Sequence, residues 1–254
     1  MHGSSERNIP LFLFVTACAV IFANMLGKDF ATLVTDITLV VSSAALLTLA
    51  VVISARFGIR GDHGTAYFFF ACFAVLWFIA ELLWMLSELV FQQPLDSLDW
   101  IYLGGYPFLF LFSTYYLKPL RKQISKKMIV LASLAVTTFF IPTIYTTYSY
   151  NNDTSILSLL DAGIYPLADA SILFPAVIGI SLFFRGQVNF FWSLACIAIT
   201  LNTIADSGFM FLYLDSAYYT GHPIDILYAW SYVLFSFGVY SHIKFFKKPT
   251  IELR

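Results

Sequence analysis

The sequence predicts an all-α integral membrane protein with eight transmembrane helices, built as two tandem four-helix repeats with both termini in the cytoplasm. Three observations support this fold class: the composition, the number of long apolar runs, and the placement of lysine and arginine. Of the 254 residues, 59% are hydrophobic and 11% are charged, whereas about a quarter of the residues in a soluble domain are charged. The few charges lie at the ends of apolar runs, so we expect no nucleic-acid partner.

Eight apolar runs are long enough to cross a bilayer, which takes about 20 residues of helix. Stretches rich in Gly, Pro, charged or amide residues, such as GIRGDHG and KPLRKQISKK, separate them and are typical of turns. We therefore expect a single membrane domain, residues 1–254, in the cell membrane and surrounded by lipid. The predicted spans are about 8–26, 33–57, 64–92, 98–117, 127–149, 155–184, 188–214 and 223–245.

The positively charged residues predict the orientation of the chain, because cytoplasmic loops are rich in lysine and arginine. With eight crossings only Lys28 falls on the outer side. The other 13 fall on the cytoplasmic side, and a seven-span or nine-span arrangement would spoil this partition. They are Arg7, Arg56, Arg60, Lys118, Arg121, Lys122, Lys126, Lys127, Arg185, Lys244, Lys247, Lys248 and Arg254.

Two segments, 80–110 and 205–236, follow the same plan. Each has an Ala and an acid inside a span, then a Pro-containing outer loop, then D-x-x-Y-x-x-x-Y at the start of the next span. Glu81 corresponds to Asp206, and Asp99, Tyr102 and Tyr106 correspond to Asp225, Tyr228 and Tyr232. This predicts a four-helix unit at 8–122 and a second one at 127–248 in the same orientation, with a site at their interface.

Three spans carry acidic residues on one helical face, as their spacing of three, four or multiples thereof indicates. A carboxylate inside a bilayer costs about 3 kcal/mol on insertion scales, so it is typically paired, protonated or functional. One interpretation is interhelical hydrogen bonding that only holds the bundle together. The other is a polar cavity lined by Glu81, Asp169 and Asp206, with Glu88 and Asp161 above them.

The second interpretation predicts a site for a small or lipidic ligand. Asp99 and Asp225 are expected instead to cap the helices that they begin. The candidate ligand-binding residues are Glu81, Trp84, Glu88, Tyr102, Tyr106, Asp161, Tyr165, Asp169, Asn202, Asp206, Tyr228 and Tyr232.

No cofactor and no metal are expected. The four histidines lie scattered at the ends of spans, and Cys18, Cys72 and Cys196 lie far apart in apolar segments, so the sequence offers no ligand set for haem or zinc. No lysine lies within a span to carry retinal, and no motif of a soluble hydrolase or nucleotide-binding protein is present.

Three passages resemble the eight-helix membrane input modules that precede diguanylate cyclase and histidine kinase domains in bacteria. They are SLDWIYLGGYPFLF (97–110), YPLADASIL (165–173), and ADSGFMFLYL followed by HPIDILYAWSYVLFSFGVYS (205–214 and 222–241). The resemblance implies a sensory or ligand-binding module. Because those proteins carry an effector domain after the last span and this sequence ends at Arg254, it also implies a separate cytoplasmic signalling protein as partner.

A looser resemblance is to the lysoplasmalogenase family, carried by Ala205-Asp206 followed by Tyr228 and Tyr232, with Ala80-Glu81 in place of that family's Gly-Asp. It implies an intramembrane lipid hydrolase in which Glu81 and Asp206 form the acid/base pair. Paired carboxyl groups of different pKa are a common acid/base device. A small transporter is a third alternative.

Overall fold

The structure is a computed structural model that describes residues 5–93, 98–150, 156–183 and 190–245, with side chains described from residue 163 onward in the sixth helix. All regular structure in these ranges is helical, and the helices agree with the eight predicted runs to within a few residues. They are α1 (Ser5–Met25), α2 (Lys28–Phe57), α3 (Gly61–Leu86), α4 (Leu98–Leu117), α5 (Lys126–Tyr150), α6 (Ile156–Phe183), α7 (Phe190–Leu214) and α8 (Asp225–Phe245).

Two short segments of different winding extend these helices. A π-helical turn, Ser87–Phe91, continues α3, and a 3-10 turn, Lys118–Gln123, follows α4. A π turn rotates the side chains beyond it relative to the α-helix, and such turns are frequent at functional sites. Here the π turn carries Glu88.

Six of the helices form a ring in which each packs against the next, in the order α2, α3, α4, α6, α7, α8 and back to α2. The helix α1 packs outside this ring on α2 and α8, and α5 packs outside it on α6 and α7. Aromatic side chains fill the ring in one half of its length. Fully buried examples are Phe70, Phe73, Phe112, Trp192 and Phe235.

Contacts between helix ends define two ends of the bundle. At one end Arg56 donates to the carbonyl of Ile243 at 2.7 Å, and Lys118 forms a 2.7 Å ion pair with Asp62. We call this the basic end. At the other end Asn24 donates to the carbonyl of Gly221 at 2.6 Å. The ends of α2, α4 and α8 thus meet the start of α3, as an alternating up-and-down path of the chain requires.

Seven of the helices in the described ranges are long and apolar enough to span a membrane, which is compatible with a multipass membrane protein. The exception is α4, although it is 20 residues long and packs inside the ring. Its Tyr, Trp, Gly and Pro residues lower its hydropathy. Outward-facing side chains on α1, α2 and α5 include Phe14, Val41 and Leu134, each more than half exposed, as lipid-facing surfaces require.

Candidate functional site

Two carboxyl groups, Asp169 of α6 and Asp206 of α7, meet inside the ring, where one hydroxyl group of α4 contacts both. The Tyr106 hydroxyl lies 2.6 Å from Asp206 Oδ2 and 3.2 Å from Asp169 Oδ1. A tyrosine hydroxyl thus bridges the two carboxyl groups.

Asp206 accepts two further hydrogen bonds. The Asn202 amide donates to Oδ2 at 2.7 Å from one turn earlier in the same helix, and the Tyr228 hydroxyl of α8 donates to Oδ1 at 2.7 Å. With Tyr106 of α4, donors from three helices converge on this carboxyl group. Protein groups thus replace the water that an acid loses when it is buried in the bundle.

Glu81 of α3 has a similar environment. Its Oε1 accepts from the Tyr232 hydroxyl at 2.6 Å, and Tyr102 lies within electrostatic range of this carboxyl group. Trp77, one turn earlier in α3, packs against Tyr102, Tyr106 and Tyr232 with ring centroids 6.4, 5.8 and 6.0 Å apart. The indole of Trp77 lies between the two carboxyl sites and keeps their tyrosines in place.

The tyrosines are shared between the two acids in a regular way. Each acid lies beside the first tyrosine of the helix that follows it and accepts a hydrogen bond from the second tyrosine of the other motif-bearing helix. Contacts of the second kind join α3 to α8 and α4 to α7. We call this set the acid–tyrosine cluster: Glu81, Tyr102, Tyr106, Asp169, Asn202, Asp206, Tyr228 and Tyr232.

Among the described residues, no basic side chain forms an ion pair with the cluster. In this part of the chain, the ion pair of Lys118 with Asp62 at the basic end is the only one formed between opposite charges. The same ranges contain no group of three or more His, Cys, Asp or Glu side chains placed to hold a metal ion. Hydroxyl and amide donors are therefore what keeps these acids inside the bundle.

Other predicted site residues lie beyond the cluster, toward the end opposite the basic end. Glu88 accepts from the Thr220 hydroxyl at 2.7 Å, and the Trp84 indole donates to the same Thr220 oxygen at 3.1 Å. Tyr165 donates to Asp99 at 2.9 Å. The side chain of Asp161 lies outside the described residues.

The hydrogen bonds of Asp225 differ from the capping of α8 that the sequence predicts. Both acids lie in the first turn of their helices, as predicted. However, Asp225 accepts from the Gly221 amide at 2.8 Å and from the Tyr218 hydroxyl at 3.2 Å. Both donors belong to the loop that precedes α8. This loop folds back over the start of the helix, so the acid meets a backbone amide of the loop and not one of α8.

The sequence-based list of site residues omitted Asp36, in the middle of α2. Its side chain is 2% exposed and lies in the electrostatic range of Glu88, Glu81 and Asp225. The signal was present in the sequence, since an acid within a 30-residue apolar helix is itself a reason to expect function. It was missed because no second acid lies on the same face within the predicted span 33–57.

Space at the acid–tyrosine cluster is small. A cavity of about 10 Å³ touches Asp169 and lies among α5, α6 and α7, bounded by Thr143, Thr203 and Ser207; such a space holds about one water. Glu81 and Asp169 are buried, whereas Asp206, Tyr102 and Tyr228 keep partial exposure.

Comparisons with known proteins yield no relative. No model of a protein family matches the chain, and neither a curated protein nor a solved structure matches it. The function therefore has to be inferred from the acid–tyrosine cluster and its surroundings.

Proposed function

We propose that this protein is a ligand-binding or sensory membrane module in which the acid–tyrosine cluster is the responsive element. The observation that carries the proposal is the sharing of tyrosines. Asp206 accepts from a tyrosine of each motif-bearing helix, and Glu81 accepts from Tyr232 of α8 with Tyr102 of α4 in electrostatic range. Any ligand or proton that changes the charge of either acid changes interactions with both α4 and α8.

The proposal includes the two four-helix repeats. If α2, α3 and α4 are exchanged with α6, α7 and α8 respectively, the order of the helices around the ring stays the same. This holds because α2 contacts α8 just as α6 contacts α4. The same exchange maps Glu81 onto Asp206 and its two tyrosines onto those of Asp206. Parallel repeats of this kind form binding sites around an axis normal to the membrane, and the acid–tyrosine cluster joins helices of both repeats.

A signal from the cluster can reach the basic end along the shared helices. Interfaces that pack in two discrete arrangements can convert a local change into helix displacement. Below the cluster, α3 and α8 remain linked by the Tyr67 hydroxyl, 2.8 Å from His242 Nε2. We take the basic end as the cytoplasmic one on the charge rule, and a separate cytoplasmic signalling protein as its partner.

Unused hydrogen-bonding capacity beside Asp206 supports a ligand at this site. The Asn202 side chain is 1% exposed, and its amide oxygen has no hydrogen-bond partner among the described residues. An orphaned buried acceptor costs about 1–3 kcal/mol. A water or a donor group of a ligand would satisfy it.

Hydrogen–deuterium exchange of the purified protein in nanodiscs tests the proposal. Asp206→Asn and Glu81→Gln remove the charge while keeping the shape of the side chain. If the cluster is a responsive element, each substitution changes hydrogen–deuterium exchange at the basic end of α4 and α8, far from the substituted residue. Changes confined to the substituted turn and its hydrogen-bond partners would contradict it and favour a purely structural role. The exposed Asp215→Asn is the matched control, for which no change is expected.

An intramembrane lipid hydrolase is the second candidate, favoured by the contact of Asp169 with Asp206. Two carboxyl groups sharing one proton can act as an acid/base pair. Glu81, the other acid of the predicted pair, bonds to Tyr232 and makes no hydrogen bond to Asp206. A hydrolase should cleave an ether lysolipid in vesicles and lose this activity in Asp206→Asn. Turnover by this variant at the wild-type rate would exclude the pair.

A further inference from the structure

The loop between α7 and α8 closes the bundle at the end opposite the basic end. We call residues 215–224 the closing loop. The Thr220 carbonyl accepts from Thr32 of α2 at 2.8 Å, and its hydroxyl donates to Glu88 of α3. Gly221 has a φ of +100°, and a side chain there would collide with the backbone of Ala31. The loop therefore sits tightly against α2 and α3 and covers what lies beneath it.

Beneath the closing loop lies Asp36, a buried acid without a partner. Its Oδ2 atom is inaccessible to solvent and has no hydrogen bond within the described ranges. Oε2 of Glu88, which lies within electrostatic range of Asp36, is in the same condition. A buried carboxylate oxygen that is left unpaired costs free energy, and a proton or a cation would relieve that cost.

The surrounding groups add negative charge and supply no positive charge. Glu81 and Asp225 also repel Asp36. The nearest basic groups of the closing end point elsewhere: the Lys28 ammonium lies 4.6 Å from the centre of the Tyr219 ring, and burial lowers the pKa of His222 below its ordinary value, which keeps it neutral. Among the described residues, no basic group thus offsets the charge of these four acids.

We propose that Asp36 and Glu88 bind a small inorganic monovalent cation, of the size and hardness of Na⁺, beneath Thr220 of the closing loop. Carboxylate, hydroxyl and carbonyl oxygens are ligands for hard cations. Divalent ions such as Ca²⁺ take six to eight oxygens, several from carboxylates, and the described residues bring no three acidic side chains close enough for that. The site is separate from the hydrogen bonds that carry the proposed sensory function.

The cation would tie the closing loop to α2 and α3. It neutralises both acids at once, and Glu88 already holds Thr220 through its other oxygen. Removing the ion would leave two carboxylates repelling each other under the loop. The loop should therefore be more protected from exchange and proteolysis in Na⁺ than in an organic cation too large for the site.

The test measures thermal unfolding of the purified full-length protein at constant ionic strength, with NaCl replaced stepwise by choline chloride. A ligand that binds only the folded state raises the midpoint with its concentration. We expect a saturable rise with Na⁺ for the wild type and for Asp215→Asn, whose acid is exposed on the same end. The apparent Na⁺ affinity should fall at least tenfold in both Asp36→Asn and Glu88→Gln.

Direct binding of ²²Na⁺ to the protein in nanodiscs provides a second measurement, which remains informative if Asp36→Asn does not fold. Glu88→Gln should then bind at least tenfold less than wild type. Three results would overturn the proposal: no difference between Na⁺ and choline for the wild type, undiminished Na⁺ binding in Glu88→Gln, or a saturable rise with millimolar Ca²⁺ that exceeds the rise with Na⁺. None of these depends on the hydrogen exchange response of Asp206→Asn.

Discussion

Removing one hydroxyl group, that of Tyr106, should destabilise the bundle through Asp206. Tyr106→Phe deletes a donor 2.6 Å from Asp206 and 3.2 Å from Asp169 and leaves the ring, which is 3% exposed, in place. Hydrogen bonds to charged groups contribute about 1.5–3 kcal/mol to stability in soluble proteins. Measured bonds between membrane helices average about 0.6 kcal/mol and reach about 1.7.

The short distance and the burial place this bond at the upper end of the membrane range, so we expect a loss of about 1.5 kcal/mol. A double-mutant cycle isolates the interaction, because it subtracts the effects that each substitution has alone. Tyr106→Phe and Asp206→Asn should show a coupling of about 1 kcal/mol or more in reversible unfolding in mixed micelles.

Tyr145→Phe is the matched control, since this tyrosine is 72% exposed on α5 and its loss should change stability by less than about 0.5 kcal/mol. A coupling below about 0.3 kcal/mol between positions 106 and 206 would refute the reasoning. It would mean that the unfolded state in the membrane or micelle finds equivalent partners for both groups.

Two further outcomes are expected. Gly179→Ala should reduce stability by about 1–3 kcal/mol through overpacking, since the new methyl group collides with the buried indole of Trp192. Gly104→Ala is the control and should be tolerated, because the nearest atom lies 3.6 Å from the new methyl group. Equal unfolding midpoints for the two variants would contradict this prediction. In cells expressing single-cysteine variants, an impermeant maleimide should label position 215 directly and position 122 only after permeabilisation, on the charge rule; the reverse pattern would invert the topology.

The helices were predictable because their signal is local. Long apolar runs and short polar turns fix where each helix begins and ends, and the structure agrees within a few residues. The helical face that carries Asn202 and Asp206 was also predictable, since residues four apart lie on one side of a helix. Their hydrogen bond of 2.7 Å follows from that spacing.

The partners of each acid were not predictable in the same way. The D-x-x-Y-x-x-x-Y spacing places both tyrosines on one face, but it does not say which helix that face meets. Tyr232 bonds to Glu81, 151 residues earlier in the chain, and Tyr106 bonds to Asp206, 100 residues later. Such choices depend on the order of the helices in the ring, which has no periodic pattern in the sequence.

Backbone conformations outside the helices were likewise not predictable from the sequence. The bond of Asp225 to the Gly221 amide depends on the left-handed backbone of Gly221 and on the path of the closing loop over α2. A pattern of apolar and polar residues contains no information about this path. For the same reason the bonds of Thr220 to Glu88 and Trp84 could not be predicted from the apolar and polar pattern.

The distance between the two halves at the basic end tests the central claim most directly. With Cys18, Cys72 and Cys196 replaced, spin labels at the exposed positions 122 and 244 report this distance by pulsed electron resonance. If the acid–tyrosine cluster is a responsive element, Asp206→Asn combined with Glu81→Gln shifts the distance distribution relative to the wild type. The same distribution in both proteins, across the pH range in which the wild type stays folded, would contradict the claim.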